Sequence, residues 1–394
     1  MIGNGIGNPA SEDSMVHIIG AGPASLVAGI NLAKRGVEVV IHEQKSEVAS
    51  RFNGDFQGIE NWSTDMDALE FLSSIGISIN FLCEPYSIGH YYGPNLRKHE
   101  LKTSRTLFYL VKRGTAPDSI DQGLKKQAID SGVTIKWNDK IEKISYPITI
   151  VGTGPRAADV VAKGIIFKTS HPDACYGFLD NRIAPKGYAY LLVNKGDATF
   201  ATVLYEDFPK TNDYFLKAYE IMKRVVDIEI NEPKEFGGYG NFVLNHNSRN
   251  RSDVLLVGEA AGFQDALWGF GLRYAMLSGY LAAKSILTGT SYFQLCKEEI
   301  RPRMETSLAN RWLFAHLGNF GYGRILNYLT GHKDIIGLLR RQHEPTRFKR
   351  LVFQLAKKWY HTRLINKECM HQNCDCIWCR HCKENYKSGE VLLR

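Results

Sequence analysis

A glycine-rich turn between two apolar stretches constrains this 394-residue chain more than any other feature. The segment VHIIGAGPASLVAGINLAKRGVEVVIHEQ, which begins at Val16, has the pattern of a strand, a tight turn, a helix and a second strand. Gly20 and Gly22 allow the turn and let a pyrophosphate approach the backbone, while N–H groups at the start of a helix over 26–32 face that anion. Glu43 ends the second strand about 20 residues further on, where a carboxylate can accept from ribose hydroxyls. The pattern predicts a dinucleotide site and leaves FAD and NAD open.

A second glycine-rich stretch, VLLVGEAAGFQDALWGFGLRYAMLSGYLAAKSIL, lies more than two hundred residues later and begins at Val254. It combines an apolar strand, a Gly-Glu pair, a glycine-spaced loop and a long helix of small residues. It resembles the C-terminal flavin motif of glutathione-reductase-type flavoproteins of the p-hydroxybenzoate hydroxylase fold, and among them the geranylgeranyl reductase family. The resemblance implies FAD as cofactor, with Gly258 and Glu259 at the ribityl–phosphate region and the N–H groups of 269–272 at the pyrimidine edge. Glu259 and Ala266 stand where the family usually has aspartate and proline.

A third segment, ITIVGTGPRAADVVAKGIIF from Ile148, resembles the central strand and glycine turn of the same fold. Hydroxylases of this fold usually have an Asp-Gly pair there, whereas this chain has Thr153 and Gly154. Arg113 precedes a predicted helix over 119–131, at a position where the fold often places an arginine near the diphosphate; a solvated surface charge is the alternative. The predicted cofactor-binding residues are Gly20, Gly22, Pro23, Ala24, Ser25, Glu43, Arg113, Gly152, Thr153, Gly154, Gly258, Glu259, Gly269, Phe270, Gly271 and Leu272.

The regions between these segments are rich in Tyr, Phe and Gly and contain alternating strands such as YAYLLVN from Tyr188. This composition, together with the alternating pattern, predicts a mostly antiparallel sheet that covers the flavin and shapes an apolar substrate cavity. We therefore expect an α/β fold with a Rossmann-like FAD-binding domain of the p-hydroxybenzoate hydroxylase type. That domain is expected at 15–55, 105–170 and 245–290. An inserted β substrate domain is expected at 56–104 and 171–244. A C-terminal helical region is expected at 291–368.

For the reaction, the resemblance implies an FAD-dependent oxidoreductase that reduces carbon–carbon double bonds of an apolar, prenyl or lipid-linked substrate. His90, Tyr91 and Tyr92 are candidate proton donors, and Trp268 is a candidate platform beside the flavin ring. The electron donor, NAD(P)H or ferredoxin, stays open, because no second complete dinucleotide motif occurs. A flavin monooxygenase acting on an aromatic substrate is one alternative. A flavin redox partner or sensor with a metal-binding cysteine tail is another.

Positive charge is concentrated near the C-terminus. Residues 324–394 contain 15 Lys/Arg against 6 Asp/Glu, and the rest of the chain has 34 basic and 35 acidic residues. Within this region, apolar positions recur at helical spacing: Phe348, Leu351, Val352, Leu355, Ala356 and Trp359. Basic residues flank them: Lys349, Arg350, Lys357 and Lys358. Such a helix either lies on an anionic membrane surface or packs on its own domain with a solvated basic face. No nucleic-acid reader motif is present, so no nucleic acid partner is expected.

Five of the eight cysteines lie within CMHQNCDCIWCRHC. The candidate metal ligands are Cys369, Cys374, Cys376, Cys379 and Cys382, with His371 and His381 as alternates. Thiolates at this spacing suit zinc or an iron–sulfur cluster, and a flexible tail of free thiols over 369–394 is the alternative. Residues 1–14 lack signal-peptide features and are predicted to be a disordered leader. Together with the isolated positions of Cys83, Cys175 and Cys296, this predicts a cytoplasmic protein without disulfides. At most, the protein is expected to be peripheral to the inner membrane face.

Overall fold

A computed structural model describes residues 15–144, 146–155, 158–242 and 253–364. The predicted leader 1–14 and cysteine-rich tail 369–394 lie outside the described residues. The strands are β1 (Val16–Ile19), β2 (Val39–Glu43), β3 (Phe56–Glu60), β4 (Cys83–Tyr86), β5 (Ile88–Tyr92), β6 (Lys98–Lys102), β7 (Phe108–Lys112), β8 (Thr134–Trp137), β9 (Thr149–Val151), β10 (Val160–Lys168), β11 (Ala174–Phe178), β12 (Tyr188–Asn194), β13 (Asp197–Leu204), β14 (Asn231–Gly240) and β15 (Val254–Leu256). The helices are α1 (Pro23–Ala33), α2 (Ala68–Ser74), α3 (Ile120–Asp130), α4 (Thr211–Val225), α5 (Leu272–Thr288), α6 (Tyr292–Glu299), α7 (Arg301–Thr330), α8 (Ile335–His343) and α9 (Arg347–Leu364).

A five-stranded parallel sheet, in the order β15-β9-β1-β2-β8, carries the first glycine turn. Its strands are short and apolar, and their buried side chains form one core with α1, α3 and α5. The predicted strand–turn–helix–strand unit is confirmed, with α1 beginning at Pro23 because proline suits the first helical position. A side chain at Gly279 of α5 would bring its Cβ to 2.0 Å from the carbonyl oxygen of Ala24 in α1. The small residue lets the two helices pack closely behind the turn.

A seven-stranded sheet has the order β14-β10-β13-β12-β11-β5-β6. All its pairings are antiparallel except that of β11 with β5. A smaller antiparallel sheet has the order β3-β7-β4. The predicted mostly antiparallel region is therefore present.

The strand β10 departs from the predicted segment boundaries. The sequence analysis assigned residues 105–170 to the FAD-binding domain. In the structure, however, Val161 pairs with Leu204 of β13 and with Tyr239 of β14. The glycine turn at 152–154 ends the parallel strand β9, and the chain then crosses into the second sheet. Pairing between distant strands is a tertiary property, and a local pattern does not reveal it.

The C-terminal helical region is present, and α7 is its longest element. Gly318 interrupts α7 with φ 60 and ψ −173, a conformation essentially restricted to glycine. The first half of α7 packs with α9 in a cluster that includes Leu308, Ala309 and Phe353. Among the described residues, no helix combines the length and apolar character that crossing a bilayer requires.

Helix α9 buries only part of the apolar stripe predicted for it. Val352 and Ala356 are buried, together with Phe353 and Tyr360, which the predicted stripe did not include. The other predicted positions are exposed: Phe348 by 61%, Leu351 by 67%, Leu355 by 52% and Trp359 by 44%. The buried face is rotated relative to the predicted stripe, because it is set by contact with α7. The helix thus packs on its own domain and also presents apolar side chains outward.

Candidate active site and cofactor cleft

A cavity of about 820 Å³ runs from the glycine turn after β1 to the space between the seven-stranded sheet and the C-terminal helices. Its first end lies at the carboxyl ends of the parallel strands, where this class of sheet binds ligands. Its second end is mainly apolar, and the side chains there come from Leu101, Leu192, Ile325, Leu326, Leu329, Ile335 and Leu339.

The first glycine turn is held in place by Glu43. Gly20 has φ +88, and a Cβ there would lie 2.7 Å from the carbonyl oxygen of Gly152. The Ala21 N–H donates to Glu43 Oε2 at 2.7 Å, and the Lys45 N–H donates to Oε1 at 2.9 Å. Helix α1 begins without a side-chain cap, so its first N–H groups remain open toward the cavity. The turn therefore has the form that a diphosphate requires, and each carboxylate oxygen keeps a lone pair for a ribose.

Ser25 has a different role from the other predicted ligands. Gly20, Gly22, Pro23 and Ala24 line the cavity, whereas Ser25 does not. A Cβ on Gly152 would lie 2.2 Å from Ser25 Oγ, so the two residues pack against each other behind the turn. The small side chain of Ser25 thus serves helix–strand packing.

The second glycine stretch meets the first at the same cavity. Gly258 has φ +59, and its N–H donates to Ser278 Oγ at 2.8 Å. Glu259 is oriented toward Arg51, with a distance of 3.5 Å between Oε2 and the guanidinium. Burial raises the pKa of Glu259, and the positive charges of Arg51 and Arg113 act against that rise. A carboxylate and two cations thus stand beside the predicted diphosphate position.

Arg51 was missed by sequence reasoning, because a single arginine in a loop after β2 has no distinctive local pattern. It lines the cavity and lies 4.6 Å over the ring of Phe52. Only the folded chain brings it beside Glu259, which is 208 residues away in the sequence.

Arg113 is buried, so its surface-charge interpretation is wrong. Its Nε and NH2 groups each donate to a carboxylate oxygen of Asp121 at 2.9 Å, and NH1 donates to Gln57 at 2.9 Å. The guanidinium also lies 4.1 Å over the Phe52 ring and lines the cavity. Three of its N–H groups are thereby used, so the contact of Arg113 with a diphosphate stays a prediction.

The central and final predicted segments also line the cavity. Gly154 has φ +82, and a Cβ there would meet nothing within 4 Å, so the turn with Thr153 faces open space. Gly269 has φ +75, and the Tyr188 hydroxyl donates to the neighbouring Trp268 carbonyl. Residues 269–272 lead directly into the first turn of α5. These predicted segments converge on one cleft, and their individual contacts with the cofactor remain predictions.

Among the candidate proton donors, only Tyr91 lines the cavity. Side chains alternate along β5, so His90 and Tyr92 are directed to the other face of the sheet. His90 lies 3.7 Å from Glu100, and the Tyr92 hydroxyl donates to the Val225 carbonyl at 3.2 Å. His90 and Tyr92 are therefore not placed for proton transfer in the cavity.

The ring of Tyr91 lies against the backbone of the sheet. A Cβ at Gly177 would be 2.6 Å from this ring, and one at Gly89 would be 2.7 Å from it. Burial raises the pKa of Tyr91, so its hydroxyl keeps its proton at neutral pH. Trp268 also lines the cavity, where its ring meets Phe314 edge-on at 5.2 Å. Tyr190, which the sequence analysis did not single out, lines it as well; its only signal was the alternation of β12.

The predicted metal ligands lie outside the described residues. Within the described part of the chain, no group of three or more His, Cys, Asp or Glu side chains is placed to hold a metal ion. Among the described residues, Cys83, Cys175 and Cys296 are free thiols.

Comparison with known proteins identifies the class of the fold. No model of a protein family matches the chain. The digeranylgeranylglycerophospholipid reductase of Methanococcus vannielii is 25% identical, and the alignment covers 89% of this chain and 96% of that protein. The thiamine thiazole synthase of Pyrococcus furiosus is 28% identical over 167 residues, which are 42% of this chain and 61% of that protein, less than two thirds of it. The geranylgeranyl bacteriochlorophyll reductase-like protein of Thermoplasma acidophilum has a TM-score of 0.65 at 16% identity and covers 86% of this chain and 99% of its own.

Flavin-dependent halogenases share this fold as well. The fold is that of FAD-dependent oxidoreductases of the p-hydroxybenzoate hydroxylase type. Over most of its length the chain is similar, at 24–25% identity, to proteins named digeranylgeranylglycerophospholipid reductase. The fold predicted from the sequence and the predicted resemblance to geranylgeranyl reductases are thereby confirmed.

Proposed function

We propose that this protein reduces carbon–carbon double bonds in an apolar, prenyl or lipid-linked substrate. The observation that carries the proposal is the continuity of the cavity, which joins the glycine-lined cleft to an apolar end between the sheet and the helices. A prenyl chain in the apolar end would bring one of its double bonds beside the glycine loop at 269–272. The relative named digeranylgeranylglycerophospholipid reductase supports this substrate class.

The residues of the cleft fit FAD. Glu43 would accept the ribose hydroxyls of the adenosine, and the open N–H groups of α1 would bind the diphosphate together with the charge of Arg51. Glu259 would accept a ribityl hydroxyl, and the N–H groups at 269–272 would donate to the pyrimidine edge. Bound and reduced, FAD supplies a hydride to one carbon of the double bond.

Tyr91 would supply the proton to the other carbon. Its hydroxyl is protonated at neutral pH, and Tyr91 lines the cavity and packs against residues of α7. The surrounding apolar side chains exclude water, so a protein group has to hold the proton. For Tyr91→Phe we expect a loss of about a hundredfold in the rate of substrate reduction, with FAD binding unchanged. Tyr92→Phe is the matched control, because its hydroxyl lies on the opposite face of the same strand.

The central test uses purified, anaerobically reduced protein mixed with a geranylgeranyl lipid. We expect oxidised flavin to reappear and mass spectrometry to detect a lipid that has gained two hydrogen atoms. If air restores the flavin and an aromatic substrate becomes hydroxylated while the lipid is unchanged, the protein is a monooxygenase. If neither substrate reacts and electrons pass only to another protein, the redox-partner alternative holds.

The proposed function also includes a metal site in the cysteine-rich segment. We propose that four of the seven Cys and His side chains between Cys369 and Cys382 bind zinc or hold an iron–sulfur cluster. Metal analysis of the full chain and of a chain ending at Glu368 tests this. Equal metal content in both forms would contradict it, and retained lipid reduction after truncation would make the segment accessory to catalysis.

Helix α9 is the proposed site of membrane contact. Its outward side chains at Phe348, Leu351, Leu355 and Trp359 are apolar, and residues 347–364 contain no Asp or Glu. Arg350 and Lys357 are exposed on the same helix. An apolar stripe beside positive charge matches the interface of an anionic bilayer. The predicted flanking residue Lys349 has another task, since its ammonium donates to the carbonyls of Arg341, Gln342 and Glu344 at the end of α8.

A further inference from the structure

One face of α7 holds the loop that precedes α5. The Ala266 N–H donates to Ser307 Oγ at 2.6 Å, and this hydroxyl donates to Asp265 Oδ1 at 2.5 Å. One turn further along α7, Arg311 donates to the Leu267 carbonyl at 3.2 Å. Positions four residues apart lie on the same face of a helix. The first half of α7 therefore holds the segment that leads to residues 269–272, whose N–H groups are expected at the flavin pyrimidine edge.

Asp265 is the centre of this arrangement. Its Oδ2 accepts from the Trp268 N–H at 2.6 Å, its own N–H donates to the Phe270 carbonyl at 2.8 Å, and its carbonyl accepts from the Gly269 N–H at 3.0 Å. The carboxylate is buried, with 3% of the residue exposed. The conformation of the loop over 265–271 thus depends on one buried acidic side chain.

Helix α8 contacts the same carboxylate and also the apolar end of the cavity. His343 is buried at the end of α8, and its Nε2 lies 3.5 Å from Asp265 Oδ1. Its Nδ1 donates to the Leu339 carbonyl at 2.8 Å, one turn earlier in the helix. Leu339 and Ile335 line the cavity. A single short helix therefore spans the distance between the proposed substrate chain and the flavin-facing loop.

We propose that Asp265, Ser307 and His343 are positioning residues that couple the apolar end of the cavity to the loop over 265–271. A chain that packs on Ile335 and Leu339 displaces α8, and the displacement reaches the loop through His343 and Asp265. Filling of the apolar end thereby changes the environment of the flavin. The coupling to substrate rests on the proposed function, whereas the positioning of the loop does not.

Amide exchange in the flavin-free protein tests the positioning alone. In His343→Gln and Ser307→Ala we expect the Trp268 and Ala266 amides to exchange about tenfold faster than in the wild type. Asn310→Ala is the matched control: Asn310 also ties α7 to α8, through the Gln342 carbonyl at 2.6 Å, but does not contact the loop. Equal exchange in His343→Gln and wild type, or equal acceleration in Asn310→Ala, would overturn the positioning role.

Flavin absorption with geranylgeraniol as probe tests the coupling. We expect binding of the probe, followed by calorimetry, to shift the visible flavin band in wild type and in Asn310→Ala. In His343→Gln the probe should bind while the shift falls at least about threefold. An unchanged shift in that variant, or no shift in wild type with bound probe, would overturn the coupling. Absence of binding in calorimetry would instead count against the proposed substrate class, and with it against the coupling, while the amide-exchange result would stand.

Discussion

At the scale of single residues, the cleft depends on a few carboxylates whose oxygens are shared between the backbone and a prospective ligand. Glu43 illustrates this, because it accepts from the N–H groups of Ala21 and Lys45 at the end of β2. It fixes the turn, and in the proposed FAD site the same side chain would also accept from the adenosine ribose. Replacing it disturbs both roles together.

We expect Glu43→Gln to weaken FAD binding about tenfold or more. The amide offers one acceptor oxygen where the carboxylate offers two, and bonds to a charged acceptor are worth about 1.5–3 kcal/mol. The dissociation constant can be measured by titrating flavin-free protein with FAD. Glu38→Gln is the control, since it removes the same charge from an exposed position before β2. Equal weakening in both variants would assign the effect to net charge.

The pair His343–Asp265 should make stability depend on pH. Burial alone would lower the pKa of His343, but Asp265 opposes it, and the net direction is upward from 6.5. Burial alone would raise the pKa of Asp265, but His343, Ser307 and the Trp268 N–H oppose it, and the net direction is downward from 3.8. Buried Glu60 and Tyr274 lie around the pair, and Arg273 acts electrostatically on Glu60.

The direction of each pKa shift determines how the stability of the folded protein changes with pH. The histidine contribution is complete below its ordinary pKa and is lost as pH rises through the raised folded value. The aspartate contribution is present above its ordinary pKa and is lost as pH falls through the lowered folded value. We expect His343→Gln to lose about 1–3 kcal/mol in urea unfolding between pH 3.8 and 6.5, and less on either side. A difference independent of pH would contradict this charge interaction.

Much of the cleft could be predicted from the sequence, because glycine turns and the carboxylate after β2 are local signals. Arg51 could not, since its position beside Glu259 is created by the fold. The choice among His90, Tyr91 and Tyr92 required the direction of β5 relative to the cavity. Alternation predicts that Tyr91 opposes its neighbours, but it does not say which face meets the ligand.

At the scale of elements, the crossing of α1 with α5 places the two glycine stretches at one cavity. The local patterns predicted both helices and the mostly antiparallel strands. They did not predict that β10 leaves the FAD-binding segments for the seven-stranded sheet, or that the α9 stripe is split between core and surface. Those outcomes depend on pairing and packing partners that are distant in the sequence.

We expect Gly279→Ala to destabilise the protein by about 1–3 kcal/mol and to weaken FAD binding. The added Cβ would meet the Ala24 carbonyl at 2.0 Å, so α1 and α5 must move apart and the start of α1 must shift. Gly323→Ala in α7 is the matched control: a Cβ there meets nothing within 4 Å, and alanine favours helix by up to about 1 kcal/mol. Thermal unfolding with and without FAD measures both effects. A neutral Gly279→Ala would show that the crossing can relax.

At the scale of the whole molecule, charge and exposed apolar surface concentrate in the C-terminal helices, which also close the cavity. Besides α9, the second half of α7 exposes Phe320 by 72% and Tyr328 by 55%. The same half-helix carries Leu326 and Leu329 to the apolar end of the cavity. An arrangement in which this side of the molecule meets a bilayer would bring a lipid-linked substrate close to the site that reduces it.

Vesicle binding should therefore depend on the outward face of α9. We expect wild-type protein to sediment with vesicles that contain phosphatidylglycerol and to bind weakly to pure phosphatidylcholine or at high salt. Leu351→Glu with Leu355→Glu should lower the partition coefficient about a hundredfold, because each buried leucine contributes about 1.5–3 kcal/mol. Leu216→Glu in α4, a leucine of similar exposure at 50%, should bind as wild type does. Since the substituted side chains lie outside the cavity, FAD content should be equal in all forms. If the double variant binds vesicles as well as the wild type does, α9 is ruled out as the membrane contact.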